Sequence, residues 1–558
     1  MHDLVIRNAL IVDGTGAPAK GGDLAVDGGR IAGIGRDLGP AQQTVDAEGL
    51  MLAPGIIDGH THYDAQLTWD PFADPSPAHG VTTVVIGNCG FTIAPCRPAD
   101  RDLTMRNLTH VEGMSIDALR SGIAWDFESY ADYLAMLQKR GVGPNVAAFI
   151  GHSSIRTYVM GEDAAKRAAT DDEVAAMQGL VRGAMAAGAV GFATSTSEAH
   201  NGELGIPMPS RLADEREMRA LVQAMSESGR GLFMLTRGGT TSIPYLESIA
   251  GATGRPVLIA ALFYNQLEPD SVFTLIDEIA AARGRGRRLT GQVSCCPLTM
   301  EFTLQSPYVF ESLPSWKPAM EAHGEALAKV YRDGEFRRRV KDDIAHRRGR
   351  LFNGEWQKLH VAEAGLKAHE EFEGKSVAAL AKSAGRDPLD WFLDFGLEDR
   401  LKTLFTSELL NADEKGVGRL IANPDTHVSL SDAGAHLTFF CDVGFGLYLL
   451  GHWARDLGVI SIEEAVRRLT GQPAAIFGIK DRGRLAPGYA ADLMLFDPAE
   501  IGREPSRRVH DLPAGAARLV SKPRGIHGVW INGTRVVDRS GMIAAGTMPG
   551  KVLREFSA

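Results

Sequence analysis

Cysteine is scarce: five are scattered through 558 residues, too few for a disulfide framework, and a reducing cytoplasm fits that usage best. No apolar run reaches the roughly 18 residues of a membrane span. The opening Met1-His2-Asp3-Leu4 has neither a basic n-region nor a long apolar h-region, so no secretory leader is expected. There is no excess of base either. A formal net charge of -10 and a pI near 5.9 exclude the basic surface of a nucleic-acid binder. Low-complexity tracts and internal repeats are lacking. What is present is an ordinary globular composition, 44% hydrophobic, in a chain long enough for a large core and an appended module. A small molecule is the expected partner.

Between the ends, strand-like and helix-like stretches alternate, which points to parallel βα units. The strand-like runs are 52–57, 81–86, 145–150, 190–194, 231–236, 257–262, 288–294 and 426–432. A helix is expected over 171–187, closed by Gly188. Eight such units fit a (β/α)8 TIM-like barrel with insertions. The alternative is an open doubly wound sheet, but no glycine-rich phosphate fingerprint supports it. Residues 1–55 and 481–558 read as short strands with tight turns and too few apolar residues for separate cores, so a composite β-sandwich made from both termini is expected beside a barrel over 56–480. Its exposed edges would allow a homo-oligomer. The connection 297–425, after the seventh strand, is too long for a plain loop. Its charged stretch 325–350 and its aromatics Phe302, Tyr308, Phe310, Trp316 and Trp356 suit either a solvated lobe or a lid over the barrel mouth.

Four residues at or just past strand ends form a candidate metal set. His60 and His62 lie two apart, so on a strand they face one side and can aim both imidazoles at one point. Cys89 and Asp432 follow the second and eighth strands. Barrel enzymes gather their chemistry at that edge, and imidazole suits zinc and similar divalent ions. Each residue also has a plain structural use: a strand end, a small buried hydrophobe, a turn or cap. His152, after the third strand, could polarise a carbonyl or be a satisfied core histidine. Arg237, after the fifth, could clamp a substrate carboxylate or pair on the surface. Cys295-Cys296 reads as packing, since neighbouring strand residues face opposite sides. His200 and His436 are further loop candidates.

The run Ala53-Pro54-Gly55-Ile56-Ile57-Asp58-Gly59-His60-Thr61-His62 resembles the first-strand signature of the amidohydrolase superfamily, metal-dependent hydrolases on a (β/α)8 barrel. Gly87-Asn88-Cys89-Gly90-Phe91 and Ser431-Asp432-Ala433-Gly434-Ala435-His436 are similar to motifs of the N-acyl-D-amino-acid deacylases. The resemblance implies that Cys89 is a zinc ligand, bridging in that branch, and that Asp432 both ligates the metal and shuttles the proton. It implies further zinc-binding histidines at the ends of strands five and six. Here Leu235 falls where the fifth-strand histidine belongs, and Ile259 to Tyr264 contains none. One ion, most simply zinc, is therefore expected rather than two. The implied activity is hydrolysis of a non-peptide C–N bond, the deacylation of an N-acyl (D-)amino acid or related amide. Two alternatives stand beside it: another amide or cyclic amide cleaved at a rebuilt single-metal site, and an inactive barrel used for binding.

Overall fold

The structure is a computed structural model. It describes the chain apart from residues 203–204, 306, 312, 348–351, 436–441, 544–547 and 558, and apart from the side chains of 110, 111 and 308. His436 therefore lies outside the described residues. Two compact units are present, one containing Met1–Cys296 and most of the chain after Lys415, the other formed chiefly by Pro297–Glu414.

In the first unit, eight parallel strands curl into one sheet: β1 (Ile56–Asp58), β2 (Val81–Ile86), β3 (Asn145–Gly151), β4 (Gly191–Ser195), β5 (Leu232–Thr236), β6 (Val257–Ala260), β7 (Leu289–Val293) and β8 (Thr426–Val428). Each pairs with its sequence neighbour. The circuit closes beyond the strand ends, where Thr61 bridges Ala433. The runs are rich in Val, Ile and Thr, whose branched side chains fit a pleated surface, and β2 and β3 are buried at every position, as expected for strands covered on both faces. The helix Asp171–Ala187 shows why these connections stop where they do. Thr170 and Glu173 form a capping box at its start, and Gly188, at φ 108°, ends it in a conformation that a side chain would disfavour.

The termini share one nine-stranded sheet. Strand Met51–Pro54 pairs on one side with Leu10 and Ile11, and on the other with Leu493–Phe496. Leu4, Ile6, Leu24, Leu52, Leu493 and Trp530 bury a common core there. The apolar run from Leu52 to Ile57, expected as one barrel strand, is thus two. Pro54 closes the terminal sheet and Ile56 opens β1. At Gly55 between them a Cβ would come within 2.1 Å of the Thr82 side chain, so only glycine passes.

The second unit has its own three-stranded antiparallel sheet, Leu298–Thr303, Leu404–Leu410 and Leu359–Glu363. Phe302, Phe310, Trp316 and Trp356 are buried in that unit's core; Phe310 and Trp316 stack with ring centroids 4.7 Å apart. These aromatics hold the insertion together, which removes them as an argument for a lid. No helix among the described residues is long and apolar enough to cross a membrane.

Candidate metal centre

His60 and His62 leave the C-terminal end of β1 on one face, and the chain segment after β8 runs alongside. The His62 N–H donates to Ala433 O at 2.7 Å, and the Asp432 N–H to His60 O at 3.1 Å. Gly434 lets the two segments touch, since a Cβ there would meet His62 C at 2.6 Å. These contacts bring the Asp432 carboxylate over both rings: Oδ1 lies 3.2 Å from His60 Nε2 and 3.3 Å from His62 Nε2. Cys89 enters from the turn after β2, its Sγ 3.4 Å from His60 Nε2 and 3.9 Å from His62 Nε2. Cys89 and Asp432 both sit at positive φ, 58° and 49°. Such backbone costs about 1–3 kcal/mol per residue and concentrates at functional sites.

The donor set suits a divalent ion: both imidazoles and the Cys89 sulfur lie within 4.8 Å of one another, and Asp432 Oδ1 reaches the two imidazoles. At usual zinc distances a tetrahedron has N···O edges of about 3.3 Å and N···S edges of about 3.6 Å, close to the separations found. Two imidazoles, a sulfur and a carboxylate are also the ligand types that zinc takes. The sulfur is prepared for it: burial pushes the Cys89 thiol up, but the two facing imidazoles outweigh burial and hold it below its ordinary value. In turn, burial would lower His60, and the Cys89 sulfur and Asp432 carboxylate raise it instead. Asp58 and Asp64 flank the histidines, and burial pushes each up to about 7.

Each ring is also held from behind. His60 Nδ1 meets Gln292 Oε1 of β7 at 2.8 Å, and His62 Nδ1 lies 3.1 Å from Glu112 Oε1. Neither partner was found by sequence reasoning. Glu112 follows the helix Arg101–Val111, with no spacing relation to a strand end. Gln292 lies within a strand run, and an amide there reads as packing. The parity of Gln292, inward-facing at the far end of β7, was the available signal.

His152 is not brought to this cluster. Its Nδ1 meets Thr194 Oγ1 at 2.7 Å and its Nε2 meets Glu217 Oε1 at 2.8 Å, Glu217 also pairs with Arg156, and all three side chains are buried. Both ring nitrogens, expected to face a substrate, are partnered inside the protein. On β5, the residue that reaches the centre is Thr236, with Oγ1 3.1 Å from Cys89 Sγ; Leu235, the residue expected there, alternates to the opposite face. Arg237 stands just past β5 with Nε donating to Thr241 O at 2.7 Å. His200 packs edge-on to Phe91 at 5.0 Å, and Phe91 lies 6.4 Å from His62. Cys295 and Cys296 are buried as packing.

A barrel whose strand ends gather two imidazoles, a thiol and a carboxylate is the architecture of a metal-dependent hydrolase. The amidohydrolase family matches residues 43–283 and 344–537, and the chain belongs to that family. It is 30% identical to an N-acyl-D-aspartate deacylase of Alcaligenes xylosoxydans xylosoxydans, over 99% of this chain and 95% of that protein. Among solved structures it resembles a D-aminoacylase, described as having a binuclear centre with one-metal activation and second-metal attenuation, at TM-score 0.68 and 26% identity over the whole of both chains. It also resembles the N-acyl-D-glutamate deacylase of Bordetella bronchiseptica, complexed with zinc and a phosphonate mimic of the tetrahedral intermediate, at TM-score 0.67 and 25% identity over 99% of this chain and all of that one.

Proposed function

We propose that this enzyme deacylates N-acyl-D-amino acids or closely related amides, with one divalent ion, zinc, held by His60, His62, Cys89 and Asp432. The observation that carries the reading is the approach of Cys89 Sγ, at 3.4 and 3.9 Å, and of Asp432 Oδ1, at 3.2 and 3.3 Å, to the same two Nε2 atoms. The deacylase relatives supply the substrate class. When bound, the ion contributes Lewis acidity, polarising an amide carbonyl and bringing the pKa of water toward 7.

The chain's own groups do the rest. Asp432, its side chain 14% exposed, takes a proton from the attacking water and gives it to the departing nitrogen, the two transfers amide hydrolysis requires. Arg237 receives the substrate carboxylate; no acidic side chain pairs with it among the described residues, and guanidinium matches that planar anion. His152, bonded to Thr194 and Glu217, ties β3 to β4 in this reading. A single ion follows from β5 and β6. Thr236 faces the Cys89 sulfur where a histidine would be needed for a second ion, and β6 has no histidine. A relative described as activated by one metal makes this a workable state.

The segment 297–425 leaves after β7 and returns before β8, and on that ground we assign it a part in substrate choice; unaltered kinetics after its deletion would contradict this. Cysteine usage places the enzyme in the cytoplasm, and fractionation of the cell would test that.

Asp432→Asn tests the main proposal. It keeps shape and one coordinating oxygen but relays no proton, so kcat on an N-acyl-D-amino acid should fall at least about 100-fold, with a smaller loss of metal. Normal metal binding with near-parent turnover would move the proton role elsewhere. A zinc-loaded parent that releases no amino acid from any N-acyl-D substrate would sink the substrate class.

A further inference from the structure

Glu112 presents an anomaly. Its carboxylate is only 2% exposed, and neither oxygen makes a well-aligned hydrogen bond to any described group. An ionised side chain in that situation is costly and needs a compensating partner. The group within reach is His62 Nδ1, at 3.1 Å from Oε1. The opposite ring nitrogen of His62 is the one that faces Asp432 and Cys89.

His60 offers a control within the same site. Its Nδ1 is held by Gln292, a neutral amide that fixes ring orientation but adds no charge. The two histidines therefore differ in the charge behind them, one backed by an anion and one not. A carboxylate behind a ligating imidazole fixes the tautomer with the proton on Nδ1, orients the ring and makes Nε2 a stronger donor. The carboxylate also adds a negative charge near the ion.

We propose that Glu112 is a positioning residue for the metal centre: it holds His62 with Nε2 free for the ion and strengthens that donor, while Gln292 only orients His60. The proposal rests on the metal reading given under Proposed function. It goes beyond that reading in assigning part of the ion's affinity to a residue outside the barrel strands. It also explains why a buried carboxylate stands behind the ring nitrogen that faces away from Asp432 and Cys89.

The test is zinc affinity, measured by competition with a chromophoric chelator, together with melting of the metal-free protein. Glu112→Ala should weaken zinc binding about 10- to 100-fold. Glu112→Gln keeps an acceptor for the Nδ1 proton but removes the charge, so its loss should be smaller than that of Glu112→Ala. Melting of the metal-free variants reports the loss of the buried Glu112–His62 pair by itself and is read beside the affinity. Zinc affinity within about twofold of the parent in both variants, well short of the loss expected for such a partner, would overturn the proposal. Lower melting of the metal-free variants with unchanged zinc affinity would overturn it too, and would make Glu112 a purely structural residue. If the parent itself binds no zinc, the metal reading fails first, and the parent titration shows that separately.

Discussion

Buried histidines stand at the ends of two strands of one barrel, β1 and β3, and their surroundings are built differently. At the end of β3, His152 has both nitrogens bonded, to Thr194 and Glu217, and Arg156 completes the pairing of Glu217. At the end of β1, each ring has Nδ1 anchored, by Gln292 or Glu112, and turns Nε2 toward a shared point. Burial is the same in both places. A histidine bonded on both sides suits a structural role, whereas one anchored on one side only, beside a thiol and a carboxylate, suits metal ligation. Sequence does not distinguish the two cases; the partners do.

The largest effect that could sharpen this contrast comes from His62→Ala. Losing a ligand should empty the site, and loss of a metal's Lewis acidity, worth several kcal/mol, should lower kcat/KM at least about 1,000-fold. Retained metal and turnover would mean that the ion sits elsewhere.

His152→Ala should do the reverse. Opening a buried, paired network costs about 3–5 kcal/mol, seen as a lower denaturation midpoint, while metal content per folded chain stays at the parent level. The pH dependence has a definite sign. Burial would raise Glu217, but His152 and Arg156 outweigh it and hold it at about 2, below the ordinary carboxylate value of about 4.3. Burial also holds His152 below the ordinary imidazole value, so the network's contribution is complete only above about 6.5 and declines as pH falls toward about 2. The stability gap between parent and variant should narrow across that window; a gap that widens there, or metal loss at neutral pH, would break the comparison.

The smallest effect expected is at Arg237. Charge-assisted hydrogen bonds contribute about 1.5–3 kcal/mol, so Arg237→Ala should raise KM for a carboxylate-bearing substrate by about 10- to 100-fold and leave the metal in place. An unchanged KM would remove Arg237 from the substrate site.

The ligands were legible in the sequence because each lies at a strand end, where spacing fixes direction. His60 and His62 share a face by alternation, and Cys89 and Asp432 stand in recognisable turns. Eight strand runs likewise announced the barrel, although Gly55 splits the first between two sheets. What escaped depends on contacts between distant segments. Glu112 reaches His62 from the end of a helix in the long connection between β2 and β3, and no local pattern predicts that meeting. The partners that occupy His152 come from β4 and from a helix 65 residues on, so its structural character appears only in three dimensions. Thr236 rather than Leu235 reaches the centre because neighbouring strand residues face opposite sides, so a motif match one residue out reverses the face. The insertion's aromatics were visible as a cluster, but whether they faced outward or packed on one another was not.

The central claim is one ion at four named ligands, with Thr236 standing where a second ion would need a histidine. Elemental analysis of protein purified without chelators tests it most directly, on the parent and on Cys89→Ala and Asp432→Ala. The account predicts one tightly held zinc per parent chain and substantial loss in both variants. Two tightly held ions per chain, or one that survives both substitutions, would contradict it.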